Sequence, residues 1–216
     1  MINNRLKFVL LFVIIGSSFL FSQVGPDEAI KFLQSGNSRF VSGKLDKKDL
    51  RGEVKNLQNG QSPYAVILAC SDSRVPPELV FDESLGKLFI IRLAGNVATP
   101  EAIGSIEYAV DHLGSQLVLV LGHSKCGAVT AAVNGGHTTP NIEKLIHYIE
   151  PAVNEAKSIG EVPDLVKVCV DMNVKQQIKN LFAHSHLLEE KAASGSLKIV
   201  GGVYELSTGE VKISAK

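Results

Sequence analysis

Three short apolar runs constrain this chain more than any other feature. They are Tyr64-Ala-Val-Ile-Leu-Ala-Cys70, Leu88-Phe-Ile-Ile-Arg-Leu93 and Leu117-Val-Leu-Val-Leu121. A strand with one wet face alternates apolar and polar residues. These runs do not, so they read as parallel strands covered on both faces. Helix-like segments lie between and around them. Pro100 to His112, with Leu113 just beyond, sets Ala102, Ile103, Ile106, Ala109, Val110 and Leu113 at helical spacing. Pro26 and Asp27 start a helix with Ala29, Ile30, Phe32 and Leu33 on its apolar side. Cys126 to Val133 is small and apolar, while Asn141 to Ile149 and Leu165 to Phe182 read as amphipathic. Leu197 to Leu206 and Val211 to Ser214 are the last extended pieces. The order predicts an α/β fold with a mostly parallel central β-sheet flanked by helices. Sites in such sheets form at the carboxyl ends of strands, which directs attention just past Cys70, Arg92 and Leu121.

The chain's 216 residues suffice for one domain with a full core. Lys+Arg is 22 and Asp+Glu is 22, so no basic excess calls for nucleic acid or an anionic membrane as partner. The first stretch reads separately. Arg5 and Lys7 precede an uncharged, mostly apolar run of 14 residues from Phe8 to Phe21. That is short of the about 20 residues a membrane-spanning helix needs. A basic start, a short apolar core and small residues after it describe a signal peptide over residues 1–22. Residues 23–216 are then the working domain, exported to a periplasmic or secreted location. An uncleaved membrane anchor is the alternative.

Two strand ends carry chemistry. The first reads Cys70-Ser-Asp72-Ser-Arg74 and the third His123-Ser-Lys-Cys126-Gly. Parallel neighbours would bring two thiols and one imidazole close together. Cys, His and Cys suit zinc, and three protein ligands leave the open position of a catalytic site. Cys126 also stands near a helix start, where the helix dipole favours its thiolate. Two other readings remain open at this point: a Cys70–Cys126 disulfide, which an exported protein tolerates, or two buried core thiols. Asp72 and Arg74 sharpen the zinc reading, since a carboxylate held by a guanidinium keeps its charge and can orient a water on a metal. Alternatively they form an ordinary ion pair capping the next helix.

Cys-Ser-Asp-Ser-Arg-Val from Cys70 to Val75, together with Gly-His-Ser-Lys-Cys-Gly from Gly122 to Gly127, resembles the β-class carbonic anhydrases. The likeness spans roughly residues 27–214. It takes in Gly60-Gln61-Ser-Pro63, Phe89 to Asn96, Ser105 to Val110, Asn173-Val174 with Gln177 and Leu181, and Gly202-Val-Tyr204 with Thr208-Gly209. The resemblance implies reversible hydration of carbon dioxide to bicarbonate and a proton by a zinc-bound hydroxide. One Zn2+ per chain would be held by Cys70, His123 and Cys126, with Asp72 and Arg74 beside its fourth ligand. Gln61, Phe89 and Tyr108 match the residues lining the carbon dioxide pocket in the plant-like branch, and Gln61 would come from a neighbouring subunit. A homodimer or dimer of dimers is therefore expected. The family's other branch carries a Trp three residues before the first zinc Cys. That position here is Ile67, and the chain has no Trp. Two rivals are a carbonyl sulfide or carbon disulfide hydrolase on the same site, and a non-catalytic zinc-binding assembly protein.

The remaining features read more plainly. His112, His137, His147, His184 and His186 are candidate proton carriers, and nothing in the sequence chooses among them. Cys169 reads as a buried inert thiol. Arg92 reads as a packing or subunit-contact residue, and the Lys44–Arg51 cluster as a solvated face.

Overall fold

The computed structural model describes residues 24–135 and 139–214. The leader reading and His137 fall outside these residues. Among the described residues, five strands form one sheet: β1 (Ala65–Ala69), β2 (Leu88–Arg92), β3 (Leu117–His123), β4 (Lys198–Tyr204) and β5 (Val211–Ser214). Their order is β2-β1-β3-β4-β5. The first four are parallel and β5 runs antiparallel to β4. The described helices are α1 (Pro26–Ser42), α2 (Leu50–Asn56), α3 (Pro77–Val80), α4 (Pro100–Asp111), α5 (Gly127–Asn134), α6 (Pro140–His147), α7 (Glu150–Ser158), α8 (Leu165–His184) and α9 (His186–Ala193). The α/β expectation holds. No helix among the described residues is long and apolar enough to cross a membrane.

Every residue of β1 and β3 is buried, as their uninterrupted apolar runs require. Their side chains divide by parity between two layers. Ala65, Ile67, Ala69, Leu117, Leu119 and Leu121 pack with Ala29 and Leu33 of α1 and with Val80 and Phe81 around α3. Val66, Leu68, Val118 and Val120 pack with Ala102, Ile103 and Ile106 of α4, Val174 and Leu181 of α8, and Leu188 of α9. Each fully buried Leu, Ile or Val contributes roughly 1.5–3 kcal/mol relative to exposure. Strand β2 departs from the expectation: beyond Leu88 it is only half-buried, because it lies at the sheet edge.

A third apolar cluster lies beyond the strand ends, where Val97, Val129, Ile149, Val153, Cys169 and Val170 join Cys70 and Cys126. Helix α7, which apolar periodicity did not mark, supplies part of it. Helix α8 also differs from a simple amphipathic reading, because Asn173 and Gln177 are fully buried on its inner face. Their amides are satisfied. Asn173 Nδ2 donates to the Gly95 carbonyl at 2.9 Å, and Gln177 Nε2 to Asn173 Oδ1 at 2.8 Å and to the Tyr148 carbonyl at 2.9 Å. Gln177 Oε1 accepts the Ala98 amide at 2.9 Å. This amide chain ties α8 to the loop after β2. Gly122 allows α8 that closeness to β3, since a Cβ there would lie 2.7 Å from Val174 Cγ2.

The solvated-face reading of the Lys44–Arg51 cluster holds for α2, which buries nothing, and fails at Lys48. Lys48 Nζ is bonded to Asp82, whose side chain is 1% exposed. Arg39 Nε donates to the same carboxylate at 2.6 Å, and the Asp46 amide at 3.0 Å. Burial alone would raise the Asp82 pKa. The bonds from Lys48, Arg39 and Asp46 outweigh it and pull the value down to about 2.

Candidate metal centre

The site is assembled at the carboxyl ends of β1 and β3. Ala69 is paired with Leu121, so Cys70 and His123 project from adjacent strands just past that pair. Neighbouring strands lie about 4.8 Å apart, which sets the spacing of the two groups. Past His123 the chain must turn sharply. Lys125 takes a positive φ of 54° there, and Cys126 becomes the N-cap of α5. Sulfur, nitrogen and sulfur then lie within 4.8 Å of one another. The three residues are between 0% and 5% exposed.

The donor set fits zinc. Two thiols and an imidazole are the right ligand types, and their separations suit bonds of about 2.0–2.3 Å to one centre. His123 Nδ1 lies 2.9 Å from the Ser124 carbonyl, which fixes the proton on that nitrogen. Nε2 is left as a lone-pair donor, and it is buried with no hydrogen-bond partner among the described groups. A buried polar atom of this kind costs energy unless something binds it. A hydrogen bond from Cys126 pulls the Cys70 pKa well below the ordinary thiol value, and the same bond pushes Cys126 up. Amides of the first turn of α5 draw Cys126 back down, as its place at a helix start led us to expect. All three described cysteines are free, so the disulfide alternative for Cys70 and Cys126 is not the arrangement seen. Cys169 is buried within α8, and burial raises its pKa.

Asp72 stands beside the cluster. Its Oδ2 is 3.9 Å from His123 Nε2. Arg74 grips it as a fork, with Nε to Oδ1 at 2.9 Å and a terminal nitrogen to Oδ2 at 2.7 Å. The Arg74 amide adds a bond to Oδ1 at 3.0 Å. The guanidinium bonds hold the Asp72 pKa well below the usual carboxylate range, so it is an anion at any ordinary pH. The capping alternative misses this proximity to His123.

Two supports escaped the sequence reading. Arg92, taken there for a packing or subunit residue, donates to the Cys70 carbonyl at 3.0 Å and to the Asp72 carbonyl at 2.6 Å. It therefore holds the loop that carries both groups. Its one charged side chain in an apolar strand was the available signal. Gly95 donates its amide to Cys70 Sγ at 3.3 Å, from a φ of 75° that favours glycine. A Cβ on Gly95 would also lie 2.6 Å from Ile149 Cδ1.

One chain sets Gln61, Phe89 and Tyr108 apart from this cluster. Phe89 is in register with Val66, four residues before Cys70, hence about 13 Å away along the sheet. Phe89 and Tyr108 pack against each other with ring centroids 6.2 Å apart, and Tyr108 is 49% exposed. Gln61 is exposed ahead of β1, at the opposite end of that strand from Cys70. Of the candidate proton carriers, His112, His147, His184 and His186 are all exposed. His112 stacks near Tyr108 at 5.3 Å, and His147 and His186 pair with Glu150 and Glu190.

Comparison with known proteins agrees with this geometry. A family model described as carbonic anhydrase matches residues 65–211. "Carbonic anhydrase 2" of Mycobacterium tuberculosis is 39% identical over 192 residues, covering 85% of this chain and 90% of the relative. The carbonic anhydrase of Mycolicibacterium smegmatis is 34% identical, covering 87% and 93%. Among solved structures, the Coccomyxa β-carbonic anhydrase in complex with acetazolamide superimposes with a TM-score of 0.68 at 28% identity, covering 77% of this chain and 79% of that one. The β-carbonic anhydrase CcaA gives a TM-score of 0.68 at 29% identity, covering 87% and 86%.

Proposed function

The chain belongs to the β-carbonic anhydrase family and is an enzyme of that class, and from that premise we propose reversible hydration of carbon dioxide to bicarbonate and a proton at a zinc ion held by Cys70, His123 and Cys126. The observation that carries the reading is the buried Nε2 of His123, without a partner and facing two thiols. Zinc bound there would supply a Lewis acid able to lower the pKa of a water to about 7.

The chain's own groups divide the remaining work. Arg92 and the Gly95 amide hold Cys70 in place, and the Ser124 carbonyl sets the tautomer of His123. Asp72, kept anionic by Arg74, accepts a hydrogen bond from an oxygen-bound proton in the space next to His123 and so orients the lone pair of that oxygen toward carbon. Apolar side chains must then receive a small uncharged gas. Phe89 and Tyr108 lie too far from the cluster of their own chain, and the half-buried β2 beside them is an edge strand among the described residues. We therefore include a second copy in the proposal, seated so that Gln61, Phe89 and Tyr108 complete its partner's pocket.

Purified protein is expected to hold about one zinc per chain, and a strong chelator should abolish carbon dioxide hydration until zinc is restored. Full activity in verified metal-free protein would overturn the metal reading. In the same assay Asp72→Asn should lower turnover by roughly tenfold or more while zinc stays bound. Wild-type rates in that variant would remove Asp72 from the chemistry.

A further inference from the structure

We propose that Glu205 is a positioning residue for His123, acting through Ser124 to hold the imidazole with Nε2 toward the two thiols. This rests on the reading of Cys70, His123 and Cys126 as a zinc site. The link is the Ser124 carbonyl, which accepts the His123 Nδ1 proton at 2.9 Å. Ser124 lies just past the end of β3 and has no helix or strand of its own to hold it. Instead it is fastened to the turn between β4 and β5. Its amide donates to the Tyr204 carbonyl at 2.9 Å. Its hydroxyl donates to Glu205 Oε1 at 2.8 Å and accepts the Leu206 amide at 3.0 Å.

Glu205 is itself well anchored. Its amide donates to the Glu210 carbonyl at 2.8 Å, and its carbonyl accepts the Gly209 amide at 2.8 Å. Oε1 also takes bonds from the Ser207 amide at 3.2 Å and the Ser207 hydroxyl at 3.0 Å. A hydroxyl bond to a carboxylate is about twice as strong as a neutral one, so this hub is the firm point of the loop. The neighbouring backbone gives the hub something to restrain. Lys125 sits at a φ of 54°, where a non-glycine residue stores of order 1 kcal/mol. With the Ser124 hydroxyl released, that residue can relax, and the carbonyl behind His123 turns with it.

A merely structural Glu205 would close the β4–β5 turn and affect stability alone. Metal affinity separates the two roles. The experiment uses the full chain and the variants Glu205→Ala, Glu205→Gln, Ser124→Ala and the Glu205→Ala/Ser124→Ala pair. It reads zinc affinity by competition with a chromophoric chelator, and ligand geometry from the visible spectrum of the cobalt(II) form. Loss of an outer partner of a ligating His costs about 10- to 100-fold in metal affinity. Glu205→Ala and Ser124→Ala should each show that loss with an altered cobalt spectrum, and the pair should show no further loss. Glu205→Gln keeps an oxygen acceptor and should stay within about threefold of wild type. Should Glu205→Ala fail to fold, Ser124→Ala decides alone, because it cuts the same link and leaves the carboxylate's bonds to Ser207. Unchanged zinc affinity in Ser124→Ala, or stability loss without affinity loss, would overturn the proposal. Zinc uptake by the wild type tests the underlying reading separately, and a wild type that takes up none would overturn both.

Discussion

His123→Ala is expected to empty the metal site and to reduce carbon dioxide hydration by roughly a thousandfold or more, a barrier increase of about 4 kcal/mol. The side chain is fully buried and supplies one of three donor atoms within 4.8 Å of one another. Removing it leaves two thiols and a gap where Nε2 stood. The fold should survive. The group stands past the strand ends, while both large cores lie along the strands themselves. Metal analysis, circular dichroism and stopped-flow hydration on one preparation check the three parts together. A folded, zinc-free variant with wild-type turnover would dismiss the metal from the reaction.

Asp82→Asn is expected to destabilise the fold by about 2 kcal/mol, with no direct effect on Cys70, His123 or Cys126. The substitution keeps the shape of the side chain, and Asn tolerates the positive φ of 47° found there. It removes the charge that Arg39 and Lys48 share. Removing one partner of a buried pair costs 3–5 kcal/mol. The figure here is smaller because Arg39 and Lys48 are 31% and 18% exposed and can regain water. The pH dependence has a definite sign. The folded-state pKa is about 2 against an ordinary 3.8, so the stabilisation is complete above about pH 4 and fades as pH falls toward 2. Urea melts of both proteins at pH 7 and pH 3 test this. The gap should be full at pH 7 and about half as large at pH 3. Equal stability at pH 7 would show that the cluster contributes nothing.

The parts that sequence made legible are those where one residue type has one tolerable environment. Val66, Leu68, Leu119 and Val120 could only be covered strands, and they are. Cys70, His123 and Cys126 stood at predicted strand ends, and the parallel register of β1 and β3 brings them together. Asp72 and Arg74 fell on the same loop, so their pairing needed only local geometry. Asn173 and Gln177 were legible only through resemblance, because nothing local says that an amide on α8 faces the Gly95 carbonyl. Lys48 misled for a related reason: a charged side chain reads as solvated until its partner is known, and Asp82 is distant in sequence. Arg92, read as a packing or subunit-contact residue, finds its acceptors on the Cys70 and Asp72 carbonyls, which are equally out of reach of a local pattern.

Sequence by itself determined the class of sheet, the ends at which chemistry would gather and the donor atoms available there. These follow from hydrophobicity, periodicity and ligand chemistry, all carried by short stretches of chain. Tertiary structure alone decided how those donors are held: Arg92 on the loop after β1, Gly95 on the sulfur, and the β4–β5 turn behind Ser124. It also decided that Phe89, and Tyr108 packed against it, lie far along the sheet from their own chain's cluster. Such facts depend on register and on contacts between residues far apart in the chain, and a linear pattern does not encode a distance.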